Sequence, residues 1–142
     1  FDLDNTKNSE IHLTNDAIQK HSETYGKYEE ANKLSYSEFQ RYLELHFKEK
    51  KYNFADVLSK MREIATLAVQ ATYSKLDPTN KEFNFEDAVP IDLGFWIGFY
   101  ADENLRPWLI EVNTNPCLEL SSNLLGRIIP NMVEHALRYH LE

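Results

Sequence analysis

The 142-residue sequence predicts an α+β domain in which helices pack on an antiparallel hairpin. Two segments, 35–49 and 53–75, repeat apolar residues every three or four positions, as amphipathic helices do. Residues 94–113 instead hold two runs of aromatic and branched residues on either side of a short polar turn, which is typical of a hairpin. A chain of this length can bury a core of its own.

The first third of the chain is predicted to be mostly irregular. Residues 1–10 are polar and acidic and indicate a loop or a frayed end. Residues 11–18 favour a strand or an extended segment, which would carry Thr14 and Asn15. Residues 26–33 are highly charged and lack a sustained apolar period, so we expect a loop there.

Two long helices are predicted in the middle of the chain. Ser35 or Ser37 can cap the first helix, which we expect to run through about residue 49. The second helix fits residues 53–75, where a broad apolar stripe has the width and regularity that burial requires. The stripe consists of Phe54, Val57, Leu58, Met61, Ile64, Ala65, Ala68 and Ala71.

The C-terminal half is predicted to form the hairpin and two further helices. Residues 77–80, Asp-Pro-Thr-Asn, end the long helix with turn residues. A strand over 94–101 turns at 102–105 and returns as a strand over 106–113. Ser121 or Ser122 can cap a short helix, and Pro130 fits the first turn of a last helix because proline lacks the N–H that this turn leaves unpaired.

The second strand ends in side chains that can bind a metal ion. Strand alternation places Leu109, Glu111 and Asn113 on one face, and Trp108, Ile110 and Val112 on the other. A carboxylate beside an amide oxygen suits Mg²⁺, which takes hard oxygen ligands and often keeps a bound phosphate. The alternative is a solvated strand face that binds nothing, and these two residues alone favour that alternative.

Composition excludes several classes of function. The net charge of -8 argues against a non-specific nucleic-acid binder, which needs a basic patch. The single cysteine, Cys117, excludes an internal disulfide and indicates a reducing compartment. No apolar run has the length of a membrane span, and we expect no membrane partner. Because the sequence begins with Phe1 and not with Met, we expect a longer protein.

Two sequence blocks resemble one known family. Ile-Glu-Val-Asn-Thr-Asn-Pro at 110–116 resembles the C-terminal metal-binding motif of the tubulin–tyrosine ligase family, an ATP-grasp group. Ile-His-Leu-Thr-Asn-Asp-Ala-Ile-Gln-Lys at 11–20 resembles the His-Leu-Thr-Asn region of the same family. The blocks lie in the family's order and at about its separation, and the likeness is nearer to the tyrosine-ligase branch than to the polyglutamylase branches. Residues 1–142 are therefore expected to be the C-terminal portion of an ATP-grasp domain.

The resemblance implies an ATP- and Mg²⁺-dependent ligase that adds a free amino acid to a protein terminus, that of tubulin. ATP phosphorylates the terminal carboxylate, and the amine of the amino acid then displaces the phosphate. The resemblance assigns ATP contacts to Thr14 and Asn15, with Lys20 as a nearby cation, and metal binding to Glu111 and Asn113. It implies a cytoplasmic, cytoskeletal or ciliary location. The charge of -8 fits poorly with docking on an acidic microtubule unless the cations cluster.

The sequence departs from the family pattern at Gly98. The family places an aspartate thirteen positions before the glutamate, and counting back from Glu111 leads to Gly98. A turn centred on 103 and 104 predicts that Gly98 pairs with Leu109 and faces the side of Glu111. Two hypotheses stay open. Another segment supplies the missing ligand to an active ligase, or the chain is a catalytically impaired pseudo-ligase that serves as a structural or binding module in a cytoskeletal or ciliary assembly.

Overall fold

The computed structural model describes residues 4–27, 30–76 and 96–141, and it is mixed α and β as the sequence predicts. The predicted turn at 77–80 and residues 94 and 95 of the predicted first strand lie outside the described residues. Short 3-10 turns occur at Glu30–Asn32 and Lys48–Lys50. The elements of the described ranges are α1 (Ser9–His12), α2 (Asp16–Gln19), α3 (Tyr36–His46), α4 (Phe54–Leu76), β1 (Trp96–Ala101), β2 (Pro107–Asn113) and α5 (Asn123–Leu141).

The segment 11–18, predicted as a strand or an extended segment, contains the end of one short helix, the start of another and the connection between them. The side chain of Asn8 accepts a hydrogen bond from the backbone N–H of Glu10 at 3.0 Å, and that of Asn15 accepts one from Ala17 at 2.9 Å. An asparagine that bonds an N–H two residues later begins a helical turn and so competes with extended backbone. The predicted strand is therefore wrong, because two local caps prevail over a weak apolar pattern, whereas the alternative of an extended segment holds at Leu13 and Asn15, between the two helices.

The two long helices are close to their predicted positions. Ser35 caps α3 in a capping box, in which its hydroxyl accepts from the N–H of Glu38 and the Glu38 carboxylate accepts from the N–H of Ser35. The bonds from Ser35 lower the pKa of Glu38. Helix α3 ends at His46, before the predicted end, and α4 matches its prediction within one residue at each terminus.

The buried apolar side chains of the described ranges lie on the helices α3, α4 and α5. Helix α4 contributes most of them, and the predicted stripe is largely confirmed, although Ala71 is exposed. Burial of such aliphatic side chains is the main stabilising contribution in a domain of this kind. The buried apolar residues of the described ranges are Leu43, Val57, Ala65, Val69 and Ile129.

The hairpin has a register that differs from the predicted one. Gly98 pairs with Glu111, not with Leu109. Two physical features explain the difference. The loop extends through Arg106, whose carbonyl accepts from the N–H of Asp102 at 3.1 Å, and it includes Leu105 in the left-handed region (φ 58°). A β-bulge then adds one further residue, Ile110, between the pairs of Phe99 with Leu109 and of Gly98 with Glu111.

The last helix is continuous from Asn123 to Leu141, so the prediction of two helices with Pro130 in a first turn is wrong. Its N-terminus is capped by Ser122, which accepts from the N–H of Leu125 at 3.2 Å, and by Glu30, which accepts from the N–H of Asn123 at 3.1 Å. Burial of Ile129, beside the proline, favours helix at a position where proline alone disfavours it. None of the helices described here has the length and apolarity to cross a membrane.

Candidate functional site

The side chains of Glu111 and Asn113 converge at the end of β2. The amide nitrogen of Asn113 donates a hydrogen bond to Oε1 of Glu111 at 3.0 Å. Both residues are exposed, and the backbone between them is regular strand. The prediction that these two side chains lie on one face is confirmed by this contact, and it places a carboxylate and a carboxamide within reach of one small ligand.

The β-bulge decides which residues share that face. Paired residues of an antiparallel sheet lie on the same face, and residues alternate along the regular strand β1. Because Ile110 is the extra residue, Leu109 shares the opposite face with Phe99, and the predicted grouping of Leu109 with Glu111 is wrong. The residues on the face of the site are Trp96, Gly98 and Tyr100 of β1 and their partners Asn113, Glu111 and Trp108 of β2.

Gly98 lies directly beneath the side chain of Glu111. A β-carbon at position 98 would lie 3.2 Å from Cγ and 3.6 Å from Oε1 of Glu111. The glutamate side chain therefore extends across the sheet into space that any other residue at 98 would fill. The prediction that position 98 shares the face of Glu111 is confirmed, although through a different pairing.

The donor set of Glu111 and Asn113 fits a magnesium ion that arrives with phosphates. One carboxylate and one amide oxygen are hard ligands, and Mg²⁺ characteristically takes one or two carboxylates while keeping waters and phosphate oxygens. The amide nitrogen of Asn113 faces the carboxylate, and a half-turn of the amide would bring its oxygen there instead. Within the described ranges, no group of three or more His, Cys, Asp or Glu side chains could form a protein-only metal cage.

The second predicted block, Thr14 and Asn15, lies between α1 and α2. Thr14 is exposed, and the amide oxygen of Asn15 caps α2, which leaves its amide nitrogen as a donor. Lys20 follows α2 and is exposed. The described packing joins α2 to α1 and to the 3-10 turn Glu30–Asn32, whereas β2 packs on β1 and α4. Among the described elements, therefore, no extensive contact joins this block to Glu111 and Asn113.

An ion pair beside the Thr14 block was not predicted from the sequence. Asp16 accepts hydrogen bonds from Lys33 at 2.9 Å and from the hydroxyl of Tyr25 at 2.7 Å. These bonds, that of Lys33 first, lower the pKa of Asp16. Its partners lie 9 and 17 residues away, so no local sequence pattern indicates the cluster.

The hairpin loop is organised by Asp102, also missed from the sequence. One carboxylate oxygen accepts from the N–H groups of Asn104 and Arg106, each at 2.9 Å, and the other accepts from the indole of Trp108 at 3.2 Å. These bonds, that of Arg106 first, lower the pKa of Asp102. The guanidinium of Arg106 lies 4.4 Å from the centre of the Trp108 ring. Asp102 therefore fixes the loop and is not a spare metal ligand.

Comparison with known proteins adds the decisive observation. The profile of the tubulin-tyrosine ligase family matches residues 1–142. The chain belongs to the tubulin-tyrosine ligase family. No solved structure matches it.

Relatives within this family carry the names of two kinds of ligase. The chain is 29% identical over 136 residues to the protein polyglycylase TTLL10 of Rattus norvegicus, covering 92% of the chain and 19% of that protein. It is 32% identical over 126 residues to the probable tubulin polyglutamylase TTLL2 of Mus musculus, covering 84% of the chain and 21% of that protein. A Homo sapiens relative, 29% identical over 136 residues (92% of the chain, 19% of the relative), is named inactive polyglycylase TTLL10.

The chain therefore spans about a fifth of the length of these relatives. They are named as glycylases and polyglutamylases, so they give no support to a nearer likeness to the tyrosine-ligase branch.

Proposed function

We propose that this chain is the C-terminal ATP-grasp portion of a ligase that joins an amino acid to tubulin with the use of ATP. The observation that carries the proposal is the convergence of Glu111 and Asn113 within a sequence that the family profile matches throughout. The names of the relatives suggest glycine or glutamate as the amino acid. The partner is tubulin or the microtubule, and the location is the cytoplasmic cytoskeleton, with the cilium included.

In this proposal Glu111 and Asn113 hold Mg²⁺. When bound, the ion would supply positive charge that stabilises the negative charge developing in phosphoryl transfer. Glu111 would contribute the negative ligand at the strand end, and Asn113 would contribute its amide oxygen once the amide has turned. Because the Glu111 carboxylate is exposed, folding of the protein does not have to desolvate this charge before a cation binds.

Contacts to ATP would come from the segment that contains Thr14, Asn15 and Lys20. The hydroxyl of Thr14 and the amide nitrogen of Asn15 can donate to phosphate oxygens, and Lys20 adds positive charge nearby. Because the oxygen of Asn15 is held by the N–H of Ala17, α2 fixes the direction of this side chain. Closure of this block toward the hairpin around bound ATP is part of the proposal.

Transfer of an amino acid to tubulin tests the proposal. The full-length protein is incubated with tubulin, ATP and Mg²⁺, and with radiolabelled glycine or radiolabelled glutamate in separate reactions. We expect label on tubulin from one of the two amino acids, and loss of that label on Glu111→Gln. Glu119→Gln, which removes an exposed carboxylate beyond the strand, serves as the control and is expected to keep the label. Equal labelling by both variants would contradict the assigned role of Glu111.

The alternative function is a pseudo-ligase that keeps the fold as a binding module. Gly98, which offers no ligand where the family pattern has an aspartate, favours it, and one relative bears the name inactive polyglycylase. The same assay separates the two hypotheses. ATP binding without transfer of either amino acid would support the pseudo-ligase, whereas transfer by the protein with its native Gly98 would exclude it.

A further inference from the structure

We propose that Arg106, which is stacked on the ring of Trp108, binds a carboxylate of the acceptor protein beside the candidate metal site. This assignment rests on the proposed function and adds to it a residue that positions the acceptor. The partner that this part of the hairpin fits is an acidic peptide in an extended conformation.

Two exposed aromatic side chains continue the face of the candidate site toward the hairpin loop. Tyr100 and Trp108 pair with each other across the two strands. They share the face of Glu111 and Asn113, because paired residues lie on one face and alternate residues of β1 point the same way. Tyr100 is 54% exposed and Trp108 is 48% exposed, so both rings are open to a ligand. Rings of this kind offer a peptide a large contact area at a low cost in conformational entropy.

Trp108 holds Arg106 in a defined place on this face. The indole N–H of Trp108 donates to Oδ2 of Asp102 at 3.2 Å, which fixes the direction of the ring. The guanidinium of Arg106 lies 4.4 Å from the centre of that ring, a cation–π distance. Because a guanidinium is planar, stacking leaves the N–H groups at its edge available for hydrogen bonds.

The guanidinium of Arg106 keeps these donors for a ligand. Arg106 is exposed, and within the described ranges no ion pair or side-chain hydrogen bond engages it. The neighbouring Asp102 carboxylate already accepts N–H bonds on both of its oxygens. An arginine fork matches the paired oxygens of a carboxylate, and it gives stronger hydrogen bonds than a neutral donor does.

Spacing along the hairpin matches an extended peptide. Glu111 and Trp108 lie opposite two residues of β1 that are two positions apart, about 7 Å along the strand. An extended peptide covers this distance with two residues, whose side chains point the same way. The face therefore fits an acceptor with one carboxylate at the metal ion and a second one, two residues away, at Arg106. A fixed cation here offsets locally the net charge of -8, which disfavours an acidic partner.

Binding of a synthetic acidic peptide tests the assignment without a catalytic step. The probe is a short fluorescein-labelled peptide that alternates glutamate with serine, and its anisotropy is followed as full-length protein is added in the presence of Mg²⁺. Arg106→Gln is expected to weaken binding about five- to tenfold, since it removes one charge-assisted contact. A matched peptide of glutamine and serine should bind the native protein and Arg106→Gln equally weakly. Native affinity of Arg106→Gln for the glutamate peptide would overturn the assignment.

Two further variants separate recognition from packing and from overall charge. Arg106→Met keeps an apolar chain against the Trp108 ring, so it should lose the glutamate peptide as Arg106→Gln does while its thermal midpoint stays nearer to the native value. Arg62→Gln removes the same charge from an exposed arginine of α4 and should bind as the native protein does. Native binding by Arg106→Met, or an equal loss in Arg62→Gln, would refute the assignment.

Steady-state transfer to tubulin then identifies the source of the carboxylate. In the full-length protein, Arg106→Gln should raise KM for tubulin about five- to tenfold and leave KM for the labelled amino acid and for ATP near their native values. A rise in KM for the amino acid or for ATP alone would mean that Arg106 binds that substrate, which would refute the assignment. Absence of transfer by the native protein would count against the proposed function, whereas the peptide measurement would still decide the role of Arg106.

Discussion

At the scale of single residues, hydrogen bonds within the protein already engage several polar side chains that could otherwise bind a ligand. Asn15, which the family resemblance assigns to ATP, already caps a helix with its oxygen. Asp102 fixes a loop, and Asp16 gathers a lysine and a tyrosine. Glu111 differs from these because its partner, Asn113, can rotate to share a cation with it. This difference separates the candidate site from the structural carboxylates.

The cluster around Asp16 predicts a dependence of stability on pH. Because the pKa of Asp16 is lowered in the folded state, its contribution is present above the ordinary aspartate pKa, about 3.9, and is lost as the pH falls through the lowered value. The group is largely exposed, so we expect the contribution to be about 0.5 kcal/mol or less. Asp16→Asn should lose less stability between about pH 5 and pH 3 than the native chain does.

Chemical unfolding at a series of pH values checks this prediction. Lys33→Met removes the main cause of the pKa shift and should flatten the acid dependence in the same way. Native and Asp16→Asn proteins with identical acid dependence would contradict the assignment.

At the scale of elements, the sequence predicts best what depends on neighbours three or four residues away. The helix α4 was predicted within one residue because its apolar stripe is long and regular. The short helices α1 and α2 were missed because each depends on a single asparagine cap, and such caps also occur in turns.

For the candidate site too, the sequence predicts only those features that depend on residues close along the chain. Convergence of Glu111 and Asn113 follows from strand alternation and was predictable. The pairing of Gly98 with Glu111 was not, because a longer loop and a bulge at Ile110 each shift the register by one residue. The position of Asp16 beside Lys33 also depends on the course of the chain between them, which no local period encodes.

The continuous helix α5 leads to a prediction about Pro130. Inside a helix, proline removes one backbone hydrogen bond and crowds the preceding turn, whereas in a first turn it is tolerated. Since Pro130 lies inside Asn123–Leu141, Pro130→Ala should raise the free energy of unfolding by about 1 to 3 kcal/mol.

Equilibrium unfolding in urea measures this change. The control is Gly126→Ala, which lies in the same helix and has open space for its methyl group. We expect it to raise the free energy of unfolding by about 0.5 to 1 kcal/mol. Pro130→Ala with no gain would mean that a separate helix begins at the proline, as the sequence alone suggested.

At the scale of the whole molecule, a few polar contacts join distant parts of the chain. The hydroxyl of Tyr52 donates to the carbonyl of Glu103 at 2.9 Å, which ties the segment after α3 to the hairpin loop. Glu30 caps α5 across 93 positions of sequence. Many apolar side chains of the described ranges stay exposed, Ile110 at 65% among them, and an isolated two-stranded hairpin is marginally stable. The hairpin therefore depends on α4 and on such contacts.

The bond from Tyr52 gives a prediction at this scale. Tyr52→Phe keeps the ring and removes only the hydroxyl, so we expect a loss of about 0.5 to 1.5 kcal/mol in stability. Hydrogen exchange should also become faster at the hairpin loop, from Asp102 to Arg106, because its anchor is lost. Tyr100→Phe, at an exposed tyrosine of β1, is the matched control and should change neither quantity. Unchanged exchange in Tyr52→Phe would contradict this account.

The central claim is that Glu111 and Asn113 together hold the cation that accompanies ATP. Calorimetric titration of the full-length protein with ATP, in the presence and absence of Mg²⁺, tests it most directly. We predict Mg²⁺-dependent binding that Glu111→Gln weakens at least about tenfold, with Asn113→Ala also weaker and Glu119→Gln unchanged. Native protein without Mg²⁺-dependent affinity for ATP, or Glu111→Gln with native affinity, would contradict the claim.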